Sequence, residues 1–244
     1  MPDEHPLGHS ADLAPRAEGE LFIRAQPIRW RRDGEMARHP LFVCAHGAGA
    51  PLTSAFMEAV ASGLVRRGVS VLRFHFPYME RAVREGRRRP PDAAPVLLET
   101  CLRVVRLVLD WKSAAQTPPA ALVVGGKSLG GRMMSMLLAA EPEVGAAAAV
   151  YLGYPLHAPG RALRPRSQHL PQVRVPQLFV SGSRDPLARL DLLQAVVAAL
   201  PGARLHVVQG GDHSLAVERR NPLAGSDAWI DATAEFIHAA ARRA

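Results

Sequence analysis

One stretch limits what this chain can become more than any other: Ala121-Leu-Val-Val-Gly-Gly-Lys-Ser128-Leu-Gly-Gly-Arg-Met133. Leu122, Val123 and Val124 form a short continuous apolar run, the mark of a strand buried on both faces. A turn of small residues follows. Leu129, Met133, Met136 and Leu137 then recur at helical spacing up to Glu141, ahead of Pro142. Between strand and helix, Gly126, Ser128 and Gly130 spell G-x-S-x-G. A serine lifted onto so tight a turn takes a strained backbone conformation, and the residues two before and two after it press against neighbouring chain. A side chain at 126 or 130 would collide, which is why glycine stands at both, and Gly131 keeps the helix start close to the sheet. Gly126-Lys127-Ser128 also imitates the end of a phosphate-binding loop, but that motif needs a glycine five residues before Gly126, where Ala121 stands. The phosphate-loop reading is excluded.

Around this stretch, strands and helices alternate. Residues 1–19, rich in Pro, Gly, Ala and charge without periodicity, read as a flexible N-terminal tail, and 20–244 as a single domain. Leu21 to Trp30 alternates like an edge strand interrupted near Pro27. Leu41–Ala45 is a second continuous apolar run, and it leads into His46-Gly-Ala-Gly-Ala-Pro51, a turn nearly free of side chains. A helix is expected from about Ser54 to Arg67 with Gly68 at its C-terminal cap, then a strand from Val69 to Phe76. Pro77-Tyr78-Met79 opens a basic loop reaching Pro91, and Asp92 is placed to cap the helix carrying Val96, Leu97, Leu102, Val105 and Leu109. Strands are expected over 146–152, 177–180 and 203–208, helices over 188–200 and 227–242, and an irregular connection over 153–176. That alternation predicts a mostly parallel central sheet with helices on both faces.

The net charge of +8 raises the question of a nucleic-acid partner. Nearly all of it is arginine, Lys112 and Lys127 being the only lysines, and the densest run, Arg87-Arg88-Arg89, has no interleaved aromatics to stack on bases. No nucleic-acid partner is expected. Cys44 and Cys101, the only cysteines, both lie in apolar runs, so free buried thiols and a reducing compartment are expected rather than a disulfide. The start Met1-Pro-Asp-Glu-His lacks the basic and apolar regions of a signal peptide, and no apolar run is long enough to cross a bilayer, so a cytoplasmic chain without a membrane partner is expected.

A serine hydroxyl becomes a useful nucleophile when a histidine accepts its proton and an acid fixes that histidine's tautomer. Past the strand Leu178-Phe-Val comes Ser181-Gly-Ser-Arg-Asp185, and past Leu205-His-Val-Val comes Gln209-Gly-Gly-Asp-His213. Three residue types in the order Ser, Asp, His therefore stand at three strand ends. Asp191 falls inside a helix, Asp212 adjoins the histidine it would have to face, and His206 is mid-strand, so Ser128, Asp185 and His213 are the candidate catalytic set. Donors for an oxyanion are expected from the backbone N–H of Leu129, at a helix N-terminus, and of Ala48 or Gly49 in the loop after Leu41–Ala45. His46 is expected to shape that loop.

The set His46-Gly-Ala-Gly-Ala, Phe74-His-Phe-Pro-Tyr78-Met, Arg88-Arg-Pro-Pro-Asp92, Gly126-Lys-Ser-Leu-Gly-Gly131, Leu152-Gly-Tyr-Pro155, Ser181-Gly-Ser-Arg-Asp185 and Gly211-Asp-His213 resembles the α/β-hydrolases that include testis-expressed and NSL-complex third-subunit proteins, related to dienelactone hydrolases. The resemblance covers roughly residues 20 to 242. It implies an α/β-hydrolase fold without a large lid domain and a serine hydrolase acting on an ester, thioester or similar acyl bond. Dienelactone hydrolases carry cysteine at the turn, so Ser128 departs from them and their substrate is not carried over. Some eukaryotic relatives serve as complex subunits, which keeps a catalytically silent interaction module as the alternative. No cofactor or metal is called for. A small-molecule acyl substrate is the expected partner, with Tyr78, Leu156 and Leu187 near the rim of an open site and Arg132, Arg161 and Arg164 biasing it toward anions. The oligomeric state is not legible.

Overall fold

The continuous apolar runs Leu41–Ala45 and Ala148–Leu152, buried at every residue, lie in the interior of a sheet. A computed structural model describes residues 16–158, 165–218 and 220–244. In chain order the elements are β1 (Arg16–Ile23), β2 (Gln26–Asp33), β3 (Leu41–Ala45), α1 (Ala55–Val65), β4 (Ser70–Phe74), α2 (Pro77–Glu85), α3 (Ala94–Ala114), β5 (Leu122–Lys127), α4 (Leu129–Ala140), β6 (Ala148–Leu152), β7 (Gln177–Gly182), α5 (Leu190–Ala198), β8 (Arg204–Val208) and α6 (Ser226–Ala241). The eight strands form one sheet in the order β1-β2-β4-β3-β5-β6-β7-β8. β1 and β2 run antiparallel to each other, and β2 runs antiparallel to β4; from β4 onward every neighbouring pair is parallel. β5, which carries the serine turn, is central, and every residue of β3, β4, β5, β6 and β7 is buried.

Each sheet face has its own core. On one, Met57, Val60 and Leu64 of α1 and Trp229, Ile230 and Ile237 of α6 pack over Phe42, Val71, Val123 and Val150. On the other, Leu97, Cys101 and Val104 of α3, Met133 and Leu137 of α4 and Leu193 of α5 cover Val43, Leu72, Val124 and Tyr151. Alternate residues of each strand thus face opposite layers, as the pleat requires. A parallel sheet demands this covering on both sides, because neither of its faces can be left to water.

Several boundaries depart from expectation. The N-terminal strand begins at Arg16, so residues 16–19, expected in the tail, are sheet; residues 1–15 lie outside the described residues, as do Arg161 and Arg164. The interrupted edge strand is in fact a hairpin, with a two-residue turn at Arg24 and Ala25, both at positive φ (48° and 63°). Residues 77–85, expected as loop, are a helix: Pro77 occupies its first turn, where a missing N–H costs nothing, and Gly86 at φ 64° closes it. Asp92 does not cap α3, whose N-cap is Ala93; its carboxylate instead receives Arg81 of α2. Gly68 does end α1 as expected, with the Gly68 N–H on Val65 O and the Val69 N–H on Leu64 O.

Arg73 is fully buried in β4 and joins Asp33 of β2 (2.5 Å), Glu58 of α1 (2.9 Å) and the carbonyl of Leu52 (2.6 Å). The two carboxylates and the carbonyl meet the charge and the terminal nitrogens of this enclosed guanidinium, while its Nε has no partner among the described residues. The loop that follows β3 is thereby tied to the sheet beneath it.

Candidate active site

The serine turn is as strained as its spelling suggests. Ser128 has φ 49° and ψ −113°, outside the regions comfortable for an L-residue, at about 1–3 kcal/mol. Its neighbours explain why the strain can be held. A Cβ on Gly126, at φ 147°, would lie 2.1 Å from the carbonyl oxygen of Ala45, and one on Gly130 would lie 2.4 Å from the same atom. β3, β5 and the first turn of α4 therefore meet at a distance only glycine permits. Ser128 N–H bonds to Leu152 O (3.0 Å) and Ser128 O accepts from Arg132 N–H (3.0 Å), so the serine leaves a β ladder and enters a helix within one residue. Leu129 is the first residue of α4, where an N–H has no helical partner.

The three candidate side chains come together although 85 residues separate the serine from the histidine in sequence. His213 Nε2 lies 2.8 Å from Ser128 Oγ, and His213 Nδ1 lies 2.8 Å from Asp185 Oδ2. The Asp185 side chain is wholly enclosed, while His213 is 23 % exposed and faces the opening. The second oxygen, Asp185 Oδ1, accepts the Leu187 N–H at 2.7 Å, which fixes the rotation of the carboxylate. Asp185 does not cap α5, which begins five residues later. Buried His157 steadies the same loop, its N–H on Leu187 O and its Nε2 accepting from Arg189 N–H. The competitors face elsewhere: Asp212 accepts the N–H of Ser214 and of Ala216 within its own turn, and Asp191 pairs with Arg189 at the surface.

The loop after β3 is held from below. His46 is completely buried, and burial pushes its pKa down to about 3, so the ring is neutral. Nδ1 lies 2.7 Å from Gly47 O, and Nε2 accepts the Phe76 N–H at 3.1 Å, which assigns the proton to Nδ1. Tyr78 donates its hydroxyl to Ala48 O (3.1 Å). With the carbonyls of Gly47 and Ala48 turned inward, trans-planar peptides point the N–H of Ala48 and Gly49 the opposite way. His46 thus shapes the loop, as its position suggested.

The expected rim needs correcting. Tyr78 and Leu156 are both 0 % exposed; Tyr78 is a clamp under the loop and Leu156 belongs to the core against α4. Leu187 is half-buried beside Asp185. Arg132 extends from α4 toward Tyr154 and Arg166, its Nε buried without a partner among the described residues. What sequence reasoning missed is the destination of Arg87–Arg89. These residues, with Met79, Ala82 and Val83 of α2, line a cavity of about 380 Å³ whose other wall is Ala48 and Gly49. They were visible as the densest basic run but could not be placed without α2. Lys127, visible only as an imitation of a phosphate loop, is also buried, under the serine turn.

Residues 38–241 match the family model described as alpha/beta hydrolase domain, which covers most of the chain. The chain belongs to the α/β-hydrolase family. Among solved structures it is similar to a dienelactone hydrolase from Anabaena variabilis (19 % identity, TM-score 0.71, 93 % of this chain and 98 % of that one). It is also similar to Est1E from Butyrivibrio proteoclasticus (16 %, 0.68, 91 % and 98 %) and to the esterase domain of a Rhodothermus marinus protein (17 %, 0.62, 94 % and 98 %). At these identities the likeness is one of fold. Among the described residues no helix is long and apolar enough to cross a membrane.

Proposed function

We propose that the protein is a serine hydrolase that cleaves a carboxylic ester, thioester or related acyl bond, with Ser128 as nucleophile, His213 as proton shuttle and Asp185 as orienting acid. The observation that carries this reading is the unbroken row Ser128 Oγ–His213 Nε2–Asp185 Oδ2, each link 2.8 Å, in a half-open site. Ser128 Oγ attacks the carbonyl carbon while His213 Nε2 takes its proton. The oxyanion is received by the Leu129 amide at the α4 N-terminus and by the Ala48 amide, with Gly49 next in line. Collapse of the tetrahedral intermediate expels the alcohol or thiol, protonated by His213, and water repeats the sequence on the acyl-enzyme. Labelling of Ser128 by a fluorophosphonate probe tests this; a folded protein inert to the probe would instead be a silent interaction module on the same fold.

Asp185 has a consequence that separates orientation from charge. Asp185→Asn keeps the shape but presents an amide to His213 Nδ1, favouring the tautomer with its proton on Nε2, where it cannot accept from Ser128. A loss of about 10⁴ in kcat with little change in melting temperature is expected. A loss below tenfold in steady-state kinetics would remove Asp185 from the set.

Within the family, the motif set supports the branch of testis-expressed and NSL-complex third-subunit proteins. The two free buried cysteines support a cytoplasmic location. The substrate is a small acyl compound. Arg87–Arg89 across the cavity from Ala48 and Gly49 support a preference for an anionic group, Glu85 balancing only part of their charge. Mono-p-nitrophenyl glutarate is therefore expected to exceed p-nitrophenyl butyrate in kcat/KM by about tenfold, a ratio that shrinks in Arg88→Gln and in high salt. Equal kcat/KM for the two esters would count against it.

A further inference from the structure

In a chain that uses arginine for nearly all its positive charge, the lysine inside the serine turn stands out. Lys127 is 9 % exposed. Its stem runs past Gly47 and beneath Ser128, its ammonium lies 5.6 Å from the centre of the Phe56 ring, and it donates a hydrogen bond to the main-chain carbonyl of His213. Gly153 leaves the space it needs: a Cβ there would stand 2.7 Å from Nζ. Asp185 and Asp212 attract it without touching it. A buried ammonium with no ion-pair partner among the described residues is costly. The loop carrying His213 is tied internally at Asp212 and, through Gly211 O, to Arg184 N–H; among the described residues the Lys127 bond is the only polar tie from another element to the backbone of His213 itself.

We propose that Lys127 is a positioning residue: it couples the serine turn to the histidine loop from behind, holding the imidazole in reach of Ser128 and placing one buried positive charge behind the row of three. This rests on the hydrolase reading above. One residue thus fixes both partners of the Ser–His contact, its backbone continuing into the nucleophile and its side chain ending on the base. A displacement of about 1 Å between such groups costs up to 10²-fold in rate.

Titration supplies a readout that a merely structural role would not move. Burial pushes the Lys127 ammonium down to about 8, with the attraction of Asp185 and Asp212 pulling the other way. The groups facing it are those two carboxylates and His213. As pH rises through about 8 the charge is lost and the hold on His213 weakens, so reactivity falls. Stability moves in the opposite direction: with its ordinary value of 10.5 restored in the unfolded chain, the unfolded state binds more protons between about 8 and 10.5, and folding becomes more favourable over that window. Lys127→Met keeps the stem and removes both charge and donor.

The test measures the second-order rate of fluorophosphonate labelling and the melting temperature of wild type and Lys127→Met from pH 6 to 10. At pH 7 the variant is expected to label ten- to a hundredfold more slowly while melting no lower. Above pH 8 the gap between the two rates should narrow as the wild type loses its charge, its neutral amine keeping only an uncharged hydrogen bond to the His213 carbonyl. Equal rates at pH 7, or a constant ratio across the range, would overturn the inference while leaving the hydrolase reading intact. A wild type that does not label sinks both. If Lys127→Met does not fold, the wild type decides alone: labelling must decline through pH 8 as stability rises, and a flat profile is a refutation.

Discussion

Ser128→Ala is expected to abolish fluorophosphonate labelling and to lower kcat toward any acyl substrate by about five to six orders of magnitude, because without the hydroxyl neither His213 nor the oxyanion amides have an attack to assist. The fold should not notice: alanine keeps the Cβ and hence the unfavourable φ of 49°. Ser128→Gly makes the companion measurement. It loses activity equally, but glycine accepts that φ, and relief of about 1–3 kcal/mol of strain exceeds the 0.5–1 kcal/mol of added chain entropy. A stability gain on the order of 1 kcal/mol in Ser128→Gly, absent in Ser128→Ala, is therefore expected in urea unfolding. If the glycine variant is less stable than the alanine one, the turn is not storing strain, and if Ser128→Ala still turns over, another nucleophile is at work.

The second large effect falls on stability. Gly130 lies in the first turn of α4, and at an exposed helical position glycine to alanine would stabilise by roughly 1 kcal/mol. Here the new methyl would stand 2.4 Å from Ala45 O and 2.6 Å from Ala45 C, both main-chain atoms of a central strand that cannot move aside without parting β3 from β4 and β5. Gly130→Ala is expected to cost about 3 kcal/mol or more and to lower the urea midpoint accordingly. The sign alone is diagnostic. A neutral or stabilising result would mean that strand and helix do not approach as closely as described.

The fold was legible wherever a physical requirement left one residue type possible. Continuous apolar runs at 41–45 and 122–124 announced central strands, and the glycines at 126 and 130 announced close approach. Sites at strand ends followed from the same pattern, and Ser128, Asp185 and His213 do meet. Where one local signal admits two structures, the reading failed. Pro77 reads equally as a breaker or as a first-turn residue, and the choice was made by Tyr78 and Met79 burying against the core, which is tertiary information. The Arg24-Ala25 turn carries none of the glycine or asparagine that normally marks two consecutive positive φ values, so the pairing of β1 with β2 imposes what local preference opposes. Tyr78 and Leu156 were misplaced for a related reason: sequence tells how near a residue lies to a strand end, not which way its side chain turns.

The carbonyl of Ala45 is abutted by both glycines of the serine turn and is also the last carbonyl of β3 before the Ala48–Gly49 loop departs. Ser128 and the Ala48–Gly49 loop are thus pegged to a common post in the middle of the sheet. Loops farther out, such as Arg87–Arg89, can be rewritten by mutation without altering the spacing at that post. Under the proposed function, a change of substrate preference would fall on the periphery, whereas any change at Ala45, Gly126 or Gly130 would disturb Ser128 and the Ala48–Gly49 loop together.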